Sequence, residues 1–189
     1  MYRALTWWLV SHNVDTGDGA AVAKLAAVPV IKLSDDPASP WTRVDGQDVS
    51  AEIRSREIST RVSIVASVPE VRAHLICLQR DIIATAEPGI VAEGRDIGTV
   101  VAPGALVKVF LTAASNARAA RHAGDQGTSV AETEADQDRR DRLDAAQSAM
   151  AADAVLIDST DLTLAEVINA IVGLARERAA ALACTGRSE

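Results

Sequence analysis

The sequence predicts an α/β domain in which a parallel sheet is flanked by helices, and three observations point there. The later half alternates short apolar runs with amphipathic helical stretches, the pattern of strands joined by crossover helices. Those runs are short and unbroken, as in strands buried on both faces. The 189 residues, 48% hydrophobic and 24% charged, suffice to bury a core. Only 3% are aromatic, so Ala, Val and Leu must fill the interior.

Taken in order, residues 2–12 place Leu5, Trp8 and Leu9 at helical spacing before a polar stretch from Asn13 to Gly19, so a helix opens the chain and stops. A second short helix is expected over 20–27. Residues 28–33 read as a strand, and 41–44 with 47–49 read as a hairpin closed by Asp45-Gly46, a dipeptide suited to the positive φ of a tight turn. Residues 51–63 and 69–84 are expected to be helical. In the second, Val71, Leu75, Leu78 and Ile82 recur at helical spacing, and Pro69 sits where a first-turn proline is tolerated. Beyond them, 89–92, 106–111 and 154–157 read as buried parallel strands, 114–123 and 131–146 as helices, and 164–183 as an amphipathic helix. Its stripe of Leu164, Val167, Ile168, Ile171 and Leu174 is a core face.

The net charge of −7 argues against a nonspecific nucleic-acid or membrane-surface partner, because both select basic surfaces. Lysine occurs only at 24, 32 and 108, so anion binding falls to arginine, whose planar fork grips phosphate bidentately. Cys77 and Cys184 lack metal or redox spacing and read as free thiols in a reducing, cytoplasmic setting. The apolar run at 4–10 has no basic leader or cleavage site, no stretch has the length to span a bilayer, and the three histidines suggest no metal site.

Three clusters carry the chemistry. Glu93-Gly94-Arg95-Asp96-Ile97-Gly98-Thr99 follows the expected strand at 89–92, where the loop beyond a parallel strand's carboxyl end faces the ligand crevice. An Arg-Asp pair between glycines there can hold an anion or a polar base edge. Arg54, Arg56, Arg61 and Ser63, with Arg72 and Arg80 beyond, form a second cluster, some of which are helix-surface partners of Glu52 and Glu57. The third is Arg139, Arg140, Asp141, Arg142 and Asp144, with Arg118 and Arg121 on the preceding helix.

Together these motifs resemble the cytidylate kinase family, in order and over nearly the whole chain. Met1-Tyr2-Arg3-Ala4 is similar to the family's segment after its second strand, Asp48-Val49-Ser50-Ala51-Glu52-Ile53-Arg54 to its monophosphate-binding insert, and residues 89–101 to its most distinctive signature. The resemblance implies a P-loop nucleoside monophosphate kinase-type fold as a single domain over 1–189. Core would come from 1–27, 67–112 and 153–189, the monophosphate-binding insert from 28–66 and a lid from 113–152. It implies an acceptor site for CMP or dCMP in which Ser63, Arg72 and Asp96 read the cytosine edge and Arg3, Arg54 and Arg95 hold the acceptor phosphate. Arg140 and Asp144 would grip phosphate and sugar from the lid, while Arg118 and Arg121 neutralise the transferring group. ATP and Mg²⁺ are the family's further requirements.

The family's donor loop, G-x-x-x-x-G-K-[ST], cradles ATP phosphates on backbone N–H groups, and no Gly-Lys dipeptide occurs in these 189 residues. The expectation is therefore a chain lacking the family's first strand, P-loop and first helix, with ATP binding in doubt and a gap in its sheet through which an otherwise monomeric protein could associate. In the lid, Gln147 stands where the family has an arginine. A relic that binds CMP or nothing, and a protein-interaction module, are the alternatives.

Overall fold

Helix α1, Tyr2–Ser11, turns its Ala4, Leu5, Trp8 and Leu9 inward, and these residues begin the main core. The computed structural model describes residues 1–34, 36–126 and 148–185, and divides them between two compact units, Met1–Ala92 and Glu93–Glu189.

In the first unit the Asp18 carboxylate accepts from the N–H groups of Ala20 and Ala21 and so caps α2, Gly19–Leu25. A three-stranded antiparallel sheet follows, with β1 (Ile31–Leu33) against β2 (Thr42–Val44) and β2 against β3 (Gln47–Asp48). The hairpin turn is the expected Asp45-Gly46, with φ of 50° and 84°, the left-handed pair that matches strand twist. The strand expected over 28–33 starts only at Ile31, because the Val30 N–H is taken by the Asp45 carboxylate (2.8 Å) rather than by a ladder carbonyl.

The helix expected over 51–63 is broken. A 3₁₀ turn, Glu52–Arg54, ends at Ser55, whose hydroxyl then accepts from Ile58 N–H and starts α3, Arg56–Ala66. After Ser67 and Val68 the chain turns by 100° into α4, Pro69–Thr85, with the proline at its first turn as expected. Helix α1 packs on α3, and α4 packs on α2 and α3. The enclosed core joins Ala4, Leu5, Trp8 and Leu9 with Val22, Val44, Val49, Val65, Val71 and Leu75, while Leu78 packs at its edge. It is aliphatic, as composition requires, and each fully buried Leu or Val contributes roughly 1.5–3 kcal/mol over its exposed state.

The strand expected at 89–92 is not formed: these residues are exposed, Val91 at 94%, and none is paired. An apolar run becomes a strand only beside a hydrogen-bonding neighbour, and none is present for it among the described residues.

In the second unit a π-helical turn, Ile97–Val101, leads to β4, Val109–Thr112, and α5, Ser115–Gln126. Strand β4 pairs in parallel with β5, Val155–Asp158, in the register Val109 to Val155 and Thr112 to Asp158. That pair is the parallel sheet the sequence predicts, but its doubly wound extent is reduced here to two strands among the described residues. Helix α6, Leu164–Thr185, opens with a full capping box: the Glu166 carboxylate accepts from Thr163 N–H and hydroxyl, and the Thr163 hydroxyl accepts from Glu166 N–H. Its expected core stripe is only partly realised, since Val167 is buried whereas Leu164 and Ile168 remain exposed with Leu111 and Leu156 of the strands. The described part of this unit offers too few layers to cover them. The helix expected at 131–146 lies outside the described residues.

Candidate functional site

The site residues inferred from sequence belong to both units. In the first, α1 carries Arg3, half-buried, and its guanidinium donates to the Ile53 carbonyl (3.0 Å) and the Ser59 hydroxyl (2.8 Å). This arginine thereby ties α1 to the start of α3 and to the 3₁₀ turn, at whose end Arg54 stands exposed. Ser63 lies buried in the last turn of α3, and Arg72, half-buried, in the first turn of α4. The 100° corner thus brings a hydroxyl and a guanidinium to either side of one bend, a pairing suited to a base edge that both donates and accepts. The neighbouring Arg61 makes the surface pair with Glu57 (3.1 Å) that helical spacing predicts.

In the second unit Arg95 is exposed and Asp96 is 6% exposed. The backbone carbonyl of Asp96 accepts from the N–H groups of Val100 (2.8 Å) and Val101 (3.2 Å), so the acidic residue is the foot of the π-helical turn. Wide turns of this type are rare and concentrate at functional positions.

Helix α5 carries Arg118 and Arg121 three residues apart, hence on one side. The Arg121 guanidinium donates to the carbonyls of Ser159, Thr160 and Leu162 and to the Ser159 hydroxyl, which in turn donates to the Thr112 carbonyl. One cation therefore gathers the backbone just beyond the carboxyl end of β5, which Ser159 ties to the last residue of β4. Arg140, Asp144 and Gln147 lie outside the described residues.

Two polar contacts had no counterpart in the sequence reading. Lys108, directly before β4, is bound by Asp153, two residues before β5. Their separation of 45 residues hides the pairing until the parallel register is known. Asp45 likewise serves as acceptor for the Trp8 indole N–H (2.8 Å) besides Val30. The hydrogen bond from Lys108 holds the Asp153 carboxyl below its ordinary value, and hydrogen bonds from Ser50 and Thr160 do the same for Asp48 and Asp158.

Residues 1–177 match the family described as cytidylate kinase. The chain belongs to the cytidylate kinase family. A cytidylate kinase of Streptomyces avermitilis is 47% identical over 185 residues, covering 95% of this chain and 80% of the relative. One from Nocardia farcinica is 43% identical across 89% of this chain and 76% of its own length, and one from Mycolicibacterium paratuberculosis 39% identical across 94% and 82%. Helices flanking a parallel strand pair are consistent with the nucleoside monophosphate kinase-type fold of the cytidylate kinase family. No single helix among the described residues is long and apolar enough to cross a membrane.

Proposed function

We propose that the chain supplies the acceptor side of phosphoryl transfer from ATP to CMP or dCMP. The observation that carries this reading is the family match from residue 1 to residue 177, which spans every site residue from Arg3 to Asp144. Ser63, Arg72 and Asp96 read the cytosine edge, whose amino group and ring acceptor distinguish it from uracil. A site built around such groups rejects an analogue that leaves them unpaired. Arg3, Arg54 and Arg95 hold the monophosphate, and Arg140 and Asp144 complete the grip from the lid at 113–152. Arg118 and Arg121 face the charge that develops on the transferring group, so rate comes from positioning and electrostatics.

The donor side differs. A triphosphate cradle needs a lysine next to glycine, whereas Lys24 follows Ala23, Lys32 follows Ile31 and Lys108 follows Val107. Lys108 is moreover held by Asp153, and among the described residues no three metal-ligating side chains stand together. These residues do not fit ATP with its Mg²⁺, and we read them as carrying the acceptor side alone. A second reading, a relic that binds CMP without turnover, is favoured by the engagement of Arg121 with three carbonyls, which it would have to leave to reach a phosphoryl group.

Calorimetric titration of the 189-residue chain with each nucleotide, with a turnover assay beside it, tests the acceptor side and the donor side in turn. CMP is expected to bind at least about tenfold more tightly than UMP, a preference lost in Asp96→Asn, with no measurable ATP binding. Turnover with ATP would overturn the donor-side reading, and binding of neither nucleotide would overturn the acceptor site.

A further inference from the structure

The π-helical turn at Ile97–Val101 is a wide and uncommon backbone geometry. Among its ring-closing contacts are those from Val101 N–H to the Asp96 carbonyl (3.2 Å) and from Ala102 N–H to the Ile97 carbonyl (2.7 Å). So wide a turn persists only where its surroundings hold it. What lies against it is the stem of Lys108. A Cβ placed on Gly98 would meet Lys108 Cδ at 3.5 Å and Cγ at 3.7 Å, with the Ala151 methyl also at 3.7 Å, so the lysine stem runs along bare glycine backbone. The side chain is 8% exposed, and its ammonium donates to both carboxylate oxygens of Asp153, at 2.6 and 2.8 Å. A buried ammonium without a partner is costly, so Asp153 fixes where the stem goes. Asp153 itself is 67% exposed, and the cation is the inner member of the pair.

We propose that Lys108, anchored by Asp153, is a positioning residue that holds the Ile97–Val101 turn and thereby sets the place of Asp96. All of the links, from Asp153 through Lys108 and Gly98 to Asp96, lie within the second unit. Lys108 touches no nucleotide in this scheme. It acts through the backbone at whose foot Asp96 sits. The consequence for nucleotide selection rests on the function proposed above, whereas the consequence for the turn does not.

Amide hydrogen exchange of the full chain tests it. In Lys108→Ala and in Asp153→Ala the amides of Val100, Val101 and Ala102 should exchange about tenfold faster. The Ser159 amide, bonded to the Thr112 carbonyl at the end of the strand ladder, should change by less than about twofold. Lys108→Arg, which keeps a long stem and a partner for the carboxylate, should restore slow exchange. Should Lys108→Ala fail to fold, Asp153→Asn at the exposed partner carries the same test. Unchanged turn amides, or an equal rise at Ser159, would overturn the proposal, the latter because the pair would then merely hold the unit together. In parallel, the CMP-to-UMP affinity ratio should fall about fivefold in Asp153→Asn and return in Lys108→Arg. If exchange responds while the unaltered chain binds neither nucleotide, the assigned function fails and the positioning role stands. If exchange does not respond, the positioning role fails whatever the nucleotides do.

Discussion

At the scale of single residues, two of the arginines direct their charge at the backbone. Arg3 and Arg121 both donate to main-chain carbonyls, although the family resemblance implies that they serve the acceptor phosphate and the transferring phosphoryl group. Guanidinium forks suit either task, and a motif cannot tell which partner is in reach. Asp153 offers a sharper case, because its carboxyl is held below the ordinary value of 3.8 chiefly by the hydrogen bond from Lys108. A carboxyl with a depressed folded value stabilises the native state fully above its unfolded value and loses that contribution as pH falls through the folded one. The stability gap between the unaltered chain and Asp153→Asn should therefore be constant from neutrality down to about pH 4 and close only below it. Denaturant titrations of both proteins between pH 2 and 7 would show this, and a gap that closes near neutrality would contradict the pairing.

At the scale of elements, Asp45 shows how a turn residue fastens a hairpin to a helix. Its φ of 50° closes the turn, and its carboxylate accepts from both the Val30 N–H and the Trp8 indole on α1. Asp45→Ala leaves a buried indole donor unpaired and strains the turn, at a cost of about 2–3 kcal/mol, while Asp45→Asn should cost about 1 kcal/mol. Urea unfolding followed by tryptophan fluorescence measures both, and equal costs would show that the carboxylate bonds carry little. The turn was legible because Asp-Gly has few other uses between apolar runs, and α1, α4, β4 and β5 were legible from period and length. Other features depend on partners that the local pattern does not contain. Ser55 breaks one expected helix by capping the next, and the run at 89–92 has strand composition without, among the described residues, a strand to pair with. The arginines, Ser63 and Asp96 are proposed as a set only through motif order, since nothing local distinguishes Ser63 from Ser59, the serine that receives Arg3.

At the scale of the whole molecule, the apolar interior is divided unequally. Every member of the main core cluster, from Ala4 to Leu75, lies in the first unit. The second unit leaves Leu111 and Leu156 of its strands and Leu164 and Ile168 of α6 more than 40% exposed. Burial of apolar surface dominates stability, so the units should differ in their resistance to denaturant. Trp7, Trp8 and Trp41, which are all the tryptophans in the chain, belong to the first unit and make fluorescence a reporter of it alone. Far-ultraviolet circular dichroism also senses α5 and α6. Urea unfolding is thus expected to give noncoincident curves, with the dichroism change beginning at lower denaturant and the fluorescence midpoint lying about 1 M higher. A dye that binds exposed apolar surface should brighten before the first transition and lose intensity through it. Superimposable curves would mean that the two units unfold as one, and that the exposed leucines are not a separate weak point.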